Sequence, residues 1–395
     1  MAQSFKLKRF ANVAVLKQVD QGLLMEFLNP FREFLVEQRR MTWPDDPENL
    51  DHEALADILM SPGTDTPGDL LDALYFMDAL SDDDCYDRIL AECQEAGIDL
   101  GQALLSPEDL TLRVWLVDRN ILEKVHAEQN RVRPKRFKSF FAGCANRPDL
   151  HYPPQELLSA LDSDLSEWFD YKKKGRGARV FPFFREDWVW FLVRHGQRIK
   201  REGTMEADGA SGSVFYRPER FDVLIYYPDT GELDIYADTK GEERTYCRLF
   251  GKHLFGDEAF FLFDDPLAKY TLRPLIDRGR AALVCGDIEG IDRIRLTELQ
   301  ILHIGEQKDL EIRRADDVFE ALEAVGRNLA DETTATRLIK AKFKVQFSGD
   351  RERTVMLEPP NIAVFDREAD NDVIHAWLGK RGFIAEVQRA SVDVA

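Results

Sequence analysis

Two aspartates and a lysine in the middle of the chain have the types and spacing of a magnesium-dependent catalytic site. Asp222 lies in an apolar run that alternates like a β-strand, and Asp238 and Lys240 lie in the next such run. Carboxylate oxygens suit Mg²⁺, and the bound ion activates a water molecule for hydrolysis. A lysine two residues after an aspartate shares its strand face and can stabilise developing phosphate charge. Glu202 and Glu219, upstream, could supply a further carboxylate.

This arrangement resembles the active-site signature of the PD-(D/E)xK nuclease superfamily, in which an acidic residue on one strand precedes Asp/Glu-x-Lys on the next. The resemblance covers about 20–40 residues, and the glutamate that is usual in the second motif is an aspartate here. It implies a nuclease that uses Mg²⁺ as its cofactor and Asp222, Asp238 and Lys240 as catalytic residues.

The turn at 228–231 predicts the register of this hairpin. If these four residues form the whole loop, the numbers of facing residues sum to 459, so Asp222 faces Ala237. Because side chains alternate along a strand, Asp238 and Lys240 would then point to the face opposite Asp222. Only a bulge that shifts one strand by a residue would bring the carboxylates together. The register therefore favours a half-exposed hairpin with charged edges over a metal site.

Two basic stretches with neighbouring phenylalanines suggest a nucleic-acid interface, because cations contact phosphates and aromatic rings stack on unpaired bases. The alternative is that the cations cover the acidic 51–100 segment of the same chain or pair with a partner, while the rings belong to the core. The candidate nucleic-acid-binding residues are Arg131, Arg133, Lys135, Arg136, Lys138, Lys172, Lys173, Lys174, Arg176 and Arg179. The rings are Phe137, Phe140, Phe141, Phe181, Phe183 and Phe184.

Acidic residues are concentrated in one segment of a chain whose formal net charge is −19. Residues 51–100 hold 14 Asp and Glu against one Arg, whereas residues 101–200 carry a net charge of +5. The acidic segment could be a solvated helical surface, a contact for a basic partner or a mimic of a phosphate backbone, and the first is the usual case. The overall acidity speaks against coating nucleic acid with the whole surface but leaves room for a local basic groove.

The sequence lacks the motifs of several common catalytic and binding sites. There is no P-loop, no complete dinucleotide fingerprint and no G-x-S-x-G elbow. The seven histidines form no H-x-x-x-H pair and the five cysteines no C-x-x-C pair. No cofactor is predicted apart from Mg²⁺ under the nuclease alternative.

The chain is predicted to be cytosolic and to have no membrane partner. No apolar run approaches the roughly 18 residues that a membrane-spanning helix needs. The first residues lack the apolar stretch of a signal peptide, and the scattered cysteines suit a reducing compartment.

Helical periodicity dominates to about residue 130 and alternating strands dominate after about residue 200, which predicts an α+β fold. Helices would begin at Thr66-Pro67 and Ser106-Pro107, and antiparallel hairpins with covering helices would follow. Residues 204–213 predict a flexible loop and residues 281–286 a strand. The predicted divisions are a helical domain with an acidic face (1–130), a basic-aromatic helical connector (131–200), a mixed α+β domain (201–331) and a winged-like hairpin-plus-helix unit (332–395).

The leading interpretation is a non-catalytic cytosolic subunit of a multi-protein system that binds nucleic acid, a protein partner or both. It rests on the segregated charge and on the lack of a strong catalytic motif. A bacterial anti-phage or genome-maintenance system would suit such a subunit. The alternatives are the Mg²⁺-dependent nuclease and a structural or inhibitory protein that presents its acidic 51–100 surface to a basic partner.

Overall fold

The computed structural model divides the chain into two compact units, Met1–Asn130 and Arg131–Ala395. The residues that the structure describes are 9–63, 65–101, 105–131, 134–143, 150, 153–184, 187–205, 209–264, 267–304, 309–329, 336–349, 351–367 and 369–385, without the side chains of residues 84, 129–131 and 351.

The first unit is helical throughout its described part. Its helices are α1 (Val13–Leu16), α2 (Gln21–Leu28), α3 (His52–Met60), α4 (Gly68–Leu80), α5 (Asp83–Glu95) and α6 (Pro107–Arg131), with short helical turns at Asn29–Phe31, Phe34–Gln38 and Pro47–Asn49. Their apolar faces enclose one core, to which Phe27, Leu74 and Leu122 contribute fully buried side chains. This burial supplies the stability that short helices lack on their own.

A local capping hydrogen bond explains where α6 begins but not where α4 begins. The Ser106 hydroxyl accepts a hydrogen bond of 3.0 Å from the Asp109 backbone N–H, so α6 begins at the predicted position. The sequence predicts a helix start at Thr66-Pro67, but Thr66 does not cap α4. Helix α4 begins later, at Gly68, and the Thr66 hydroxyl instead accepts a hydrogen bond of 2.9 Å from the Gly63 N–H.

A ten-stranded antiparallel sheet organises the second unit. Its strands are β1 (Arg136–Phe141), β2 (Arg179–Phe184), β3 (Val189–Gly196), β6 (Glu219–Tyr227), β7 (Glu232–Tyr236), β8 (Ile291–His303), β9 (Asp309–Arg314), β10 (Thr336–Phe347), β11 (Arg351–Glu358) and β12 (Ile362–Val364). They lie in the order β2-β3-β6-β7-β1-β12-β11-β10-β8-β9. Strands β4 (Lys200–Met205) and β5 (Ser211–Tyr216) form a separate two-stranded sheet, which we call the ribbon. The predicted α+β class is confirmed.

Helices cover the two halves of this sheet on opposite faces. They are α7 (Gln155–Tyr171), α8 (Lys240–Phe255), α9 (Arg273–Asp277), α10 (Val318–Ala324) and α11 (Asn371–Lys380). Along β1, Phe140 joins the core under α7 and α8. Phe137, three residues earlier, pairs with Ala363, which belongs to the core under α9, α10 and α11. Since side chains alternate along a strand, the two cores lie on opposite sides of the sheet.

Residues 131–200 are not a helical connector. They contain α7, but they also supply β1, β2 and β3. Strand β1 lies in the middle of the sheet and pairs with β7 on one side and β12 on the other. Residues 201–331 and 332–395 therefore share one sheet with residues 131–200, and the predicted winged-like hairpin and helix are part of it. Pairing between strands distant in sequence leaves no trace in local composition, which is why the sequence missed it.

Two smaller predictions also fail. Residues 204–213, predicted as a loop, supply residues to both strands of the ribbon, while 206–208 lie outside the described residues. Residues 281–286 are not a strand, because Gly279–Leu283 forms a 3₁₀-helix. Among the helices that the structure describes, none has both the length and the hydrophobicity that crossing a membrane requires.

Candidate functional site

The hairpin that carries Asp222 has the predicted register. Leu224 pairs with Ile235, so the numbers of facing residues sum to 459. Both of these side chains lie in the core under α7 and α8, and Asp222 is buried on the same face of β6. Strand β7, however, ends at Tyr236. The alternation that placed the two carboxylates on opposite faces therefore does not extend to Asp238.

The guanidinium of Arg220 joins the two predicted carboxylates. Its Nε lies 2.8 Å from Asp222 Oδ1, and its Nη1 lies 2.7 Å from Asp238 Oδ2. The Asp222 side chain is fully buried, whereas that of Asp238 is 51% exposed. The cation that links the predicted catalytic aspartates in this structure is thus a side chain of the protein itself.

Lys240 is not on a strand with Asp238. It is the first residue of α8 and is exposed. The Thr239 side chain accepts from the Glu242 N–H, and the Glu242 carboxylate accepts from the Thr239 N–H, which is a capping box. This cap forces the chain into a helix immediately after Asp238. The predicted strand position of the lysine is therefore wrong.

The two upstream carboxylates that we considered also have other partners. Glu202 lies on the ribbon and accepts a hydrogen bond of 2.7 Å from the Tyr216 hydroxyl. Glu219 lies 3.6 Å from the Arg194 guanidinium at the start of β6. The structure therefore does not bring either of them to Asp222.

Around Asp222 the structure instead collects side chains from three elements and one loop. We call this group the Asp222 cluster; its members are His195, Arg220, Asp222, Glu242, Tyr246 and Lys174. His195 Nε2 lies 3.1 Å from Asp222 Oδ2, and the Tyr246 hydroxyl donates to the same oxygen at 2.7 Å. The Lys174 ammonium contacts Glu242, and Phe169 stacks on the His195 ring at 4.0 Å. Sequence reasoning treated each histidine as isolated and so missed this group.

In the Asp222 cluster, burial and neighbouring charges have opposite effects on the pKa of Asp222. Burial alone would raise the pKa of Asp222, but the hydrogen bonds and charges of His195 and Arg220 hold that pKa below its usual range. Burial, followed by the negative charge of Asp222, raises the pKa of Tyr246 well above its ordinary value. Asp222 therefore stays ionised and Tyr246 stays a hydrogen-bond donor at neutral pH.

Most predicted nucleic-acid-binding cations with described side chains contact groups of the second unit. The ion pairs are Lys135 with Asp366 (3.4 Å), Arg136 with Glu358 (3.5 Å), Lys138 with Glu243 (2.6 Å), Arg176 with Asp170 (3.2 Å) and Lys174 with Glu242. Lys172 lies over the rings of Trp168 and Tyr171, and Arg179 over Phe181. These contacts are internal pairing, but the carboxylates belong to the second unit and are not those of the 51–100 segment that the alternative named.

Of the remaining members of the two basic stretches, only Lys173 has a described side chain. Lys173 is exposed and has a positive φ of 64°. The side chain of Arg131 and the whole of Arg133 lie outside the described residues. Of the neighbouring rings, Phe137, Phe140, Phe141, Phe181 and Phe183 are buried, so they belong to the core and are not available to stack on bases.

The acidic segment 51–100 forms much of α3, α4 and α5. Asp51 and Asp82 cap α3 and α5 by accepting backbone hydrogen bonds, and Glu92 pairs with Lys124 at 2.5 Å. Most of its other carboxylates are exposed, as expected for a solvated helical surface.

A second buried charged cluster lies between the two halves of the sheet. The Lys269 ammonium contacts Glu232, and Arg367 Nη2 lies 3.1 Å from Asp234 Oδ2. The Ser139 hydroxyl donates to Asp234 Oδ1. Burial raises the pKa of Glu232 to about 7. Burial would also raise the pKa of Asp234, but the charges of Lys269 and Arg367 hold it below its usual range. Two cations face two carboxylates here, so the cluster is balanced without a ligand.

The ribbon is the most exposed regular element with apolar side chains in the described part of the chain. The exposed fraction is 83% for Met205, 66% for Phe215, 61% for Ile199 just before β4, and 44% for Val214. Arg201 pairs with Phe215 and Met205 with Ser211, so these side chains share one face. Ribbon strands β4 and β5 pair with each other and not with the ten-stranded sheet in the described residues.

Comparison of the chain with models of known protein families and with curated proteins found no match. The function therefore has to be argued from the chain's own geometry.

Proposed function

We propose that the chain is a non-catalytic cytosolic subunit of a multi-protein assembly and that the ribbon docks onto a protein partner. The observation that carries this proposal is the exposure of Met205 and Phe215 on one face of the ribbon. An isolated two-stranded hairpin is marginally stable in water, and clustered exposed apolar side chains are typical of interaction sites. A partner that covers the ribbon would stabilise the hairpin and would bury its exposed apolar side chains.

The residues on this face of the ribbon indicate what kind of surface the partner has. Phe215 and Met205 lie near its two ends, and the small residues Gly203 and Ser213, which pair with each other, lie between them. Small residues allow close approach of another backbone, and large apolar side chains fill pockets. Arg201 stands beside Phe215 and can meet a carboxylate at the rim. The partner would therefore offer an apolar groove with an acidic edge.

Charge favours a protein over a nucleic acid at this surface. Residues 198–217 contain four cations and three carboxylates, which leaves little net charge to attract phosphates. The cations first considered for nucleic acid mostly contact carboxylates or rings of the second unit. The nuclease alternative receives less support than the docking role, because Arg220 already links the two aspartates and Lys240 lies on α8 rather than on a strand. A bacterial anti-phage or genome-maintenance assembly remains a setting that suits a docking subunit.

The proposal can be tested by placing a photo-crosslinking amino acid at position 215 of the full chain in its host cell. The cross-linked protein is identified by mass spectrometry, and the complex is then rebuilt from the two purified proteins. We expect the double variant Phe215→Ser, Met205→Ser to weaken binding about 30–1000-fold, because two buried apolar anchors that contribute about 1–2 kcal/mol each sum to about 2–4 kcal/mol.

The matched control is Val325→Ser, which removes an apolar side chain that is 67% exposed at the end of α10. This variant should bind like the unmodified chain. Unchanged affinity of the ribbon variant, cross-linking to nucleic acid only, or no cross-link from position 215 would each overturn the docking proposal.

A further inference from the structure

We propose that His195, Asp222 and Glu242 form a binding site for a divalent transition-metal ion, for which Zn²⁺ is the probe. Each residue offers one ligand atom, and these atoms lie within 4.8 Å of one another. All three side chains are buried. An imidazole nitrogen and carboxylate oxygens are ligands that Zn²⁺ accepts, and bonds of about 2.0–2.2 Å place tetrahedral ligand atoms about 3.4 Å apart.

The hydrogen bonding of His195 orients its ring so that Nε2 faces the Asp222 carboxylate. Its Nδ1 lies 2.9 Å from the Gly196 carbonyl oxygen, and its Nε2 lies 3.1 Å from Asp222 Oδ2. A metal ion between Nε2 and Asp222 Oδ2 would take the place of the proton in this hydrogen bond and be coordinated by both atoms. A backbone carbonyl bonded to the other ring nitrogen is the usual support of a metal-binding histidine.

Glu242 is held in a position from which it can join the same ion. The Thr239 backbone N–H donates to its Oε2 at 2.8 Å, and the Thr239 hydroxyl lies 3.0 Å from the same atom. This leaves Oε1, which contacts the ammonium of Lys174. Lys174 lies just after α7, and a flexible four-carbon side chain carries its ammonium. A divalent ion can therefore replace this ammonium beside Glu242. The lysine is thus a competitor of the metal.

Rigid elements hold the rest of the site. His195 lies at the end of β3, Asp222 near the start of β6 and Glu242 in the first turn of α8. Arg220 occupies Asp222 Oδ1, which leaves Oδ2 on the side of His195 and the Tyr246 hydroxyl. Because the ribbon extends between β3 and β6, a metal ion here would fasten the base of the ribbon to α8.

The test is a calorimetric Zn²⁺ titration of the full chain after treatment with EDTA, repeated with Co²⁺ and visible spectroscopy. We expect one equivalent to bind and the Co²⁺ spectrum to show coordination by nitrogen and oxygen. Lys174→Met should bind Zn²⁺ at least tenfold more tightly, because it removes the competing ammonium. His195→Gln should lose stoichiometric binding.

The matched control is Lys252→Met, which removes an ammonium that lies 2.7 Å from Asp164 outside the cluster. This variant should leave Zn²⁺ affinity unchanged. The proposal is overturned if neither the unmodified chain nor Lys174→Met binds one equivalent, or if the two bind equally. Since Lys174→Met retains every proposed ligand, its result decides the question even if His195→Gln fails to fold.

Discussion

At the scale of single residues, Asp222 and Asp238 contact one guanidinium from opposite environments. Asp222 is fully buried and also accepts from Tyr246, whereas Asp238 is half exposed to water. Removing one partner of a buried ion pair leaves an uncompensated charge in the interior, which costs about 3–5 kcal/mol. An exposed ion pair contributes about 0–1 kcal/mol, since water screens it and solvates the partner left behind.

We therefore expect Asp222→Ala to lower the free energy of unfolding by about 3–5 kcal/mol and Asp238→Ala by less than about 1 kcal/mol. Urea unfolding followed by circular dichroism measures both free-energy changes. Asp238→Ala is the matched control, because native Asp238 contacts the same guanidinium as Asp222. Equal losses in the two variants would contradict the assignment of Asp222 as a structural anchor. Asp222→Asn, which keeps the shape of the side chain, serves if the alanine variant does not fold.

The residue scale also shows which local signals the sequence contains. Thr239 and Glu242 have the spacing of a capping box, which predicts a helix that starts at Lys240. Reading Asp-Thr-Lys as a strand motif overlooked that competing pattern. In contrast, the contact of Arg220 with both aspartates could not be predicted, because it depends on where α8 packs against the sheet.

At the scale of elements, Asp162 fastens α7 to the edge of the sheet. Its carboxylate accepts a hydrogen bond of 2.8 Å from the Val180 N–H on β2. Burial raises the pKa of Asp162 to about 6, although this hydrogen bond and the nearby arginines act in the opposite direction. A carboxyl group whose pKa is raised by folding stabilises the fold fully below its unfolded pKa of 3.8, and this contribution is lost as the pH rises through 6.

The variant Asp162→Asn should accordingly remove the pH-dependent contribution of this carboxyl group to the free energy of unfolding. Asparagine keeps an acceptor for Val180 but does not ionise, so the variant gains stability relative to the unmodified chain between pH 4 and pH 7. We expect a gain of about 1 kcal/mol, since partial exposure reduces the effect of the pKa shift. Urea unfolding at the two pH values measures it, and a difference that stays constant or falls with pH would contradict the pKa assignment.

Elements made by neighbouring residues were predictable, and elements made by distant residues were not. The register of β6 and β7 follows from one four-residue turn, and the structure confirms it. Strand β1 lies in a basic stretch and has partners that are about 90 and 225 residues away in the sequence. Its cations Arg136 and Lys138 pair with Glu358 on β11 and Glu243 on α8, which are also distant in the sequence. Without these partners in view, the basic composition of the stretch suggested a nucleic-acid interface.

At the scale of the whole molecule, the second unit is one sheet whose halves are covered on opposite faces. The buried cluster of Glu232, Asp234, Lys269 and Arg367 lies where the halves meet, on β7 and in the segments before α9 and after β12. Strands β7, β1 and β12 are adjacent in the sheet, so the charges lie across the junction. Balanced buried charges specify one alignment of the halves, because any shift would leave a charge without a partner.

This role predicts how a double-mutant cycle at the junction will behave. Lys269→Met leaves the Glu232 carboxylate buried without its cation, and we expect it to cost about 3–5 kcal/mol at pH 7. The cost should shrink as the pH falls towards 5, because a carboxyl group with a raised pKa takes up a proton and loses its charge. Lys269→Met combined with Glu232→Leu removes both charges and should recover most of the loss, within about 1–2 kcal/mol of the unmodified chain. Urea unfolding of the three variants at both pH values measures the coupling energy, and a double variant less stable than Lys269→Met would show that the pair does not align the two halves.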